Sequence, residues 1–191
     1  MSVELDASPR GDGAVAARAG AGAPVRLGAL TLGTPVMLAP MAGVTNPPFR
    51  QLCREAGESG LRAAGYEWQD RAGTYAPAGL WVCEMVTTRA LVERNTETMN
   101  MIKPDPGDPV RSIQLYGVEP KTTAEAVRIL VAENRADHID LNFGCPAPKV
   151  TRKGGGSALP WKLDLFEDLT RAAVRAAEEA SKDRDVTVPV T

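Results

Sequence analysis

The sequence is poor in cysteine and histidine, has no long apolar run, and carries no excess of either charge. Its three cysteines, Cys53, Cys83 and Cys145, are odd in number and lack metal-ligand spacing. A disulfide framework and a cysteine-built metal site are therefore not expected, and a reducing cytoplasm is favoured. There is one histidine, His138, followed directly by Ile139, and a local hydrogen bond is its expected role. No stretch reaches membrane-spanning length, so no membrane partner is expected. The first 24 residues are rich in Ala and Gly, but Glu4, Asp6, Arg10, Asp12 and Arg18 interrupt them. That rules out a signal-peptide core and predicts a disordered tail over 1–24. With a net charge of −2, any contact with nucleic acid must come from a local patch. The remainder is ordinary: 191 residues, 43% hydrophobic and 24% charged, suit one soluble domain with a real core.

What is present alternates. Residues 25–32 (VRLGALTL) alternate loosely around Gly28 and predict a small hairpin. Residues 36–39 are a short apolar run of the kind buried on both faces of a sheet, stopped by Pro40. Met41 to Thr45 form a loop, Asn46 is an N-cap with Pro47 at the first helical position, and Gly57 is expected to end that helix. Residues 58–79 lack a clear period and are rich in glycine. They predict a surface insertion packed down by Tyr66, Trp68 and Tyr75.

A second strand is expected over 80–83, then a helix capped by Thr87 or Thr88 that runs through Leu91 and Val92. Residues 103–109 (KPDPGDP) are too rich in proline for regular structure. Residues 110–116 read as a third strand, followed by an amphipathic helix from Glu119-Pro120 that buries Ala124, Val127, Leu130 and Val131. His138–Leu141 is a fourth strand, Leu163–Ala180 a helix, and 186–190 the start of a fifth strand. About five strand–helix alternations define an α/β chain of parallel strands with right-handed crossovers. A doubly wound sheet and a (β/α)₈ barrel both fit. A barrel usually takes about 250 residues, so this chain would supply part of one.

The chemistry concentrates in 137–159, DHIDLNFGCPAPKVTRKGGGSAL. Cys145 lies just past the carboxyl end of a strand, where binding and catalytic residues gather. A free thiol, with a pKa of about 8.5, is mostly protonated near neutrality and suits a general acid. The alternative is a buried structural cysteine, the role expected of Cys53 and Cys83. Gly154-Gly155-Gly156 could offer backbone amides to a phosphate or simply be a flexible loop. Lys149, Arg152 and Lys153 form a local positive patch able to meet an RNA backbone, or a solvated loop. Gln114, polar inside a buried strand, needs a partner. Its amide suits the edge of a flavin ring, or neighbouring backbone.

Four segments in order, LAPMAGVTNPPFR (38–50), CEMVTTRALVERN (83–95), SIQLYG (112–117) and DLNFGCPAPKVTRKGGGSAL (140–159), resemble the tRNA-dihydrouridine synthases. The resemblance covers 25–191 apart from the insertion at 58–79. It implies an FMN-binding TIM (β/α)₈ barrel, here an incomplete N-terminal part of about five βα units. It implies an oxidoreductase that reduces the C5=C6 bond of uridine in tRNA, with NADPH as reductant. Pro40, Met41, Ala42 and Gln114 would then bind FMN, and Asn142 would lie near the uracil. Hydride would go to carbon 6, and Cys145 would protonate carbon 5. Lys149, Arg152 and Lys153 would belong to the RNA side. In the family a flavin-contacting lysine and a helical tRNA-binding domain follow the strand begun at 188–191, so a missing or separately encoded C-terminal half is an expected partner. The competing expectations are another flavin barrel acting on a small pyrimidine or ene substrate, and a non-catalytic truncated remnant.

Overall fold

Gly28 takes a positive φ of +58° and turns the chain between β1 (Val25–Leu27) and β2 (Leu30–Leu32), the expected antiparallel hairpin. It does so in a computed structural model that describes residues 23–68 and 73–191. All but the last two residues of the expected tail over 1–24 lie outside the described residues, as do 69–72 of the expected insertion.

β3 (Met37–Leu38) leads through a loop to α1 (Pro47–Ala63). Asn46 caps α1 by accepting a hydrogen bond from the Phe49 N–H, with proline in the first turn. Gly57 does not end this helix. A Cβ there would stand 3.0 Å from that of Ala78 and 3.5 Å from the Trp81 ring, so at Gly57 α1 passes close to the strand that begins at Leu80 and to the turn before it. Residues 58–63, expected inside an insertion, thus continue α1, and Tyr75–Ala76 form β4, paired in parallel with β2. Arg62 lies over the Trp68 ring, 4.5 Å from its centroid.

β5 (Leu80–Trp81) and β6 (Val86–Thr87) follow, then α2 (Thr88–Val92), capped by the Thr87 hydroxyl, and α3 (Thr96–Met101). β7 (Ser112–Tyr116) is followed by α4 (Pro120–Ala132), and β8 (His138–Leu141) by the short α5 (Pro148–Thr151). A 3-10 helix (Gly156–Trp161) then leads into α6 (Leu163–Ala180). Residues 103–109 form neither helix nor strand.

Apart from β4, which lies beside β2, the parallel strands from β3 onwards stand side by side in the order of the chain. β3 pairs with β5, Val82 just beyond β5 bridges Ser112, β6 pairs with β7, β7 with β8, and Ile139 bridges Val190. A doubly wound sheet reverses its order at a switch point. This one does not reverse, and it forms no closed barrel among the described residues. Two expected strands are changed. β3 has one strand partner among the described residues, so Val36 and Met37 are 49% and 45% exposed instead of buried on both faces. Of the expected strand over 186–190 only the end runs beside β8: the Pro189 carbonyl accepts the Ile139 N–H at 3.0 Å and Val190 bridges Ile139.

Alternation divides the sheet's two faces. Ile113, Leu115 and Ile139 pack against Ala126, Val127 and Leu130 of α4 and against Ala173, Ala176 and Ala177 of α6. The alanines keep α6 slender enough for both helices to lie on the same strands. Leu30, Leu32, Ala76, Leu80, Val82 and Val110 form a second cluster at the amino-terminal ends of the strands, under the hairpin. α1 is fastened to 103–109 by Arg50, only 4% exposed. Its Nε donates to Asp108 Oδ1 (3.2 Å), its Nη2 bonds Oδ2, and its Nη1 donates to the Thr45 carbonyl (2.8 Å).

Candidate active site

The residues opposite the helix-packed face are polar. Ser112 pairs with His138 and Gln114 with Asp140 in the register of β7 and β8, and the side chains bond as the strands do. Ser112 Oγ lies 2.7 Å from His138 Nδ1, and His138 Nε2 lies 3.0 Å from Thr191 Oγ1. Thr191 Oγ1 donates to Asp140 Oδ1 at 3.1 Å. Gln114 Nε2 donates to Asp140 Oδ2 at 2.6 Å, and Asn142 Nδ2 donates to Gln114 Oε1 at 3.0 Å. The chain finishes where the Cys145 backbone N–H donates to Asn142 Oδ1, at 3.0 Å. Burial lowers the His138 pKa to about 4, so the ring is neutral. Burial also pushes the Asp140 carboxyl above its ordinary value, against the opposing hydrogen bonds of Gln114 and Thr191.

Cys145 is half-buried in the loop that follows β8. Its carbonyl accepts the Ser157 N–H at 3.0 Å, and a Cβ on Gly156 (φ +54°) would run into that carbonyl oxygen. A Cβ on Gly155 would run into the Tyr116 ring, so these glycines serve close packing. All three of Gly154, Gly155 and Gly156 are buried. The N–H groups of Gly154 and Gly155 are spent on the Thr151 and Val150 carbonyls (2.8 and 3.4 Å). Of the two expected roles, presenting amides to a phosphate is therefore not met by Gly154 and Gly155. Tyr116 is buried below, its hydroxyl 3.4 Å from the Val150 carbonyl. Burial first, then the nearby Cys145, pushes its phenol up.

Of the expected site residues, the structure joins Gln114, Asn142 and Cys145 in one hydrogen-bonded chain. Pro40, Met41 and Ala42 follow β3 at the same end of the sheet, two strands away from β7. No hydrogen bond among the described residues ties them to that chain. Their loop is shaped by buried Thr45, which accepts the Met41 N–H (3.0 Å), and by Glu84, which accepts the Gly43 N–H. Lys149, Arg152 and Lys153 are all exposed on α5 and just beyond it. Beside them stand Lys162, whose ammonium lies over Gly154, and Trp161, 87% exposed. Cys83 is buried as expected, whereas Cys53 is half-buried.

Sequence reasoning missed Ser112, Asp140 and Thr191 as partners, and Trp161 and Lys162 in the basic patch. The period of two places Asp140 on the face of His138, and that was the available signal. Gln114 and Asn142 each keep one amide N–H unspent in the bonds above. That donor set fits the acceptor edge of a planar heteroaromatic ring, as a flavin has. Among the described residues no group of three or more His, Cys, Asp or Glu could hold a metal ion, and no helix is long and apolar enough to cross a membrane.

The thiol and the Asn142 amide thus stand just beyond the carboxyl end of β8, with the Gln114 amide inside the neighbouring β7, in a parallel α/β chain. The family model for dihydrouridine synthase matches residues 37–191, and the chain belongs to that family. A probable tRNA-dihydrouridine synthase of Mycobacterium tuberculosis is 51% identical over 154 residues, covering 81% of this chain and 36% of the relative. One from Mycobacterium leprae is 55% identical over 74% of this chain and 38% of its own. The tRNA-dihydrouridine synthase B of Escherichia coli K12 is 37% identical over 81% of this chain and 41% of its own. The chain thus spans well under half the length of these relatives.

Proposed function

We propose that residues 25–191 are the N-terminal part of an FMN-dependent tRNA-dihydrouridine synthase, built as an arc of a (β/α)₈ barrel. The barrel reading rests on β3, β5, β7, β8 and Val190, which follow one another in chain order without reversal. The enzymatic reading rests most on one observation: the loop bearing Cys145 is bonded, through Asn142, to an amide buried in the sheet.

When bound, FMN reduced by NADPH supplies the hydride for carbon 6 of uracil. The protein's residues do the rest. Gln114, with the backbone of Pro40, Met41 and Ala42, would hold the flavin, and Asn142 would orient the uracil. The Cys145 thiol gives its proton to carbon 5, so that hydride and proton together saturate the double bond. Lys149, Arg152, Lys153 and Lys162 would meet RNA phosphates, and Trp161 offers a face on which a base can stack. A uridine stacked in folded tRNA has to be drawn out to reach the site.

The test is Cys145→Ala in the native polypeptide that carries this sequence, assayed on unmodified tRNA with FMN and NADPH. A general acid contributes about 10²–10⁴-fold, so dihydrouridine formation should fall by at least about 100-fold while FMN binding is kept. Undiminished formation would remove Cys145 from the chemistry. Equal turnover of free pyrimidines would point instead to a small-molecule reductase.

A further inference from the structure

We infer that Asp140 is a positioning residue: it fixes which way round the amides of Gln114 and Asn142 stand, and through them it holds the backbone of Cys145. An ionised carboxylate can only accept. Gln114 must therefore turn Nε2 towards Asp140, which leaves Oε1 to accept from Asn142 Nδ2. Asn142 in turn has Oδ1 free for the Cys145 N–H. On the other side, Thr191 gives its single hydroxyl hydrogen to Asp140. His138 Nε2 must then donate to Thr191, and Nδ1 must accept from Ser112. Two runs of donors, one from Cys145 and one from Ser112, converge on a single carboxylate. Aligned in this way, each bond polarises the next.

Turning either amide round would set N–H against N–H, or oxygen against oxygen, on both of its sides. The polarity is enforced as long as the Asp140 carboxyl is ionised, because a carboxylate cannot donate. It also determines what a ligand meets, namely one unspent N–H on Gln114 and one on Asn142. The ligand atoms placed there must be acceptors, such as carbonyl oxygens or unprotonated ring nitrogens. For the identity of that ligand the inference rests on the flavin reading. The relay itself does not depend on it.

Asp140→Asn tests this in the native polypeptide, because an asparagine can donate and so permits the reversed arrangement. Two quantities are measured: hydrogen exchange at the Cys145 amide without ligand, and FMN affinity by fluorescence titration. A hydrogen bond to a charged group contributes enough for about tenfold faster exchange and about tenfold weaker FMN binding. In a Gln114→Ala background, Asp140→Asn should change FMN affinity by less than about twofold, since both act through one path. Gln114→Met breaks the relay in the middle and leaves Asp140 with Thr191. It should speed Cys145 exchange equally, and it replaces Asp140→Asn if that variant does not fold. Unchanged exchange in these variants, or independent effects at 114 and 140, overturns the inference. A wild-type protein that binds no FMN removes the flavin reading instead, and the exchange arm still decides on the relay.

Discussion

His138 and Cys83 show what burial does to single groups in this protein, and each yields a measurable consequence. The imidazole is fully buried and its pKa falls from 6.5 to about 4. Between these values the unfolded chain binds a proton that the folded chain does not, so stability is lost as pH falls from about 6.5 to about 4. The difference amounts to about 3 kcal/mol. Asp140, which faces His138 through Thr191, acts oppositely: its raised pKa gives some stability back in the window just above its ordinary value. Melting temperature followed against pH should therefore drop through this range, and His138→Gln should flatten the curve. The Cys83 thiol, pushed up to about 11 mainly by burial, should resist alkylation at pH 8, while half-buried Cys145 and Cys53 are labelled first. Peptide mapping after brief iodoacetamide treatment reads the order directly. At this scale the sequence told which residues were unusual but not what they touch. Gln114 stands out as a polar side chain among Ile113 and Leu115. Its partner Asp140 depends on the register between β7 and β8, and Thr191 reaches the same carboxylate from 51 residues away.

Helices were largely legible, because caps and amphipathic spacing are local. α6 and the N-terminal ends of α1 and α2 fall where Asn46, Thr87 and the apolar period put them. The carboxyl end of α1 was not legible. Gly57 carries the same letter whether it stops a helix or lets one approach Trp81, and only the neighbouring strand distinguishes the two. Glycines in this fold accordingly differ in what a methyl group would do. Gly60 lies inside α1 with nothing within 4 Å of the Cβ position, so Gly60→Ala should stabilise by about 0.5–1 kcal/mol. Gly155→Ala would push into the Tyr116 ring and should destabilise by about 1–3 kcal/mol. Arg50 ties α1 to 103–109 through Asp108, beside Arg54, whose Nε donates to the Gly107 carbonyl at 2.9 Å. Arg50→Met leaves Asp108 nearly buried without its cation, which should cost about 3–5 kcal/mol. The exposed pair of Arg89 and Glu93 makes the control: Arg89→Ala should leave the denaturation midpoint unchanged.

For the molecule as a whole, strand–helix alternation announced a parallel α/β fold but left two ways of arranging the strands. From β3 onwards, β4 apart, the pairings run in chain order. That order brings the ends of β7 and β8 together and so assembles Gln114, Asn142 and Cys145 from segments 28 and 31 residues apart in the sequence. Pro40, Met41 and Ala42 share the end of the sheet but not the network, so on the flavin reading both groups would hold the cofactor. The most direct test of the central claim is the mass of nucleosides from unmodified tRNA treated with the native polypeptide, FMN and NADPH. Dihydrouridine, heavier than uridine by about two mass units for the hydride and proton added, is the predicted product. It should be absent without the polypeptide and lost with Cys145→Ala. Unaltered uridine throughout, from a folded polypeptide that holds FMN, would contradict the account.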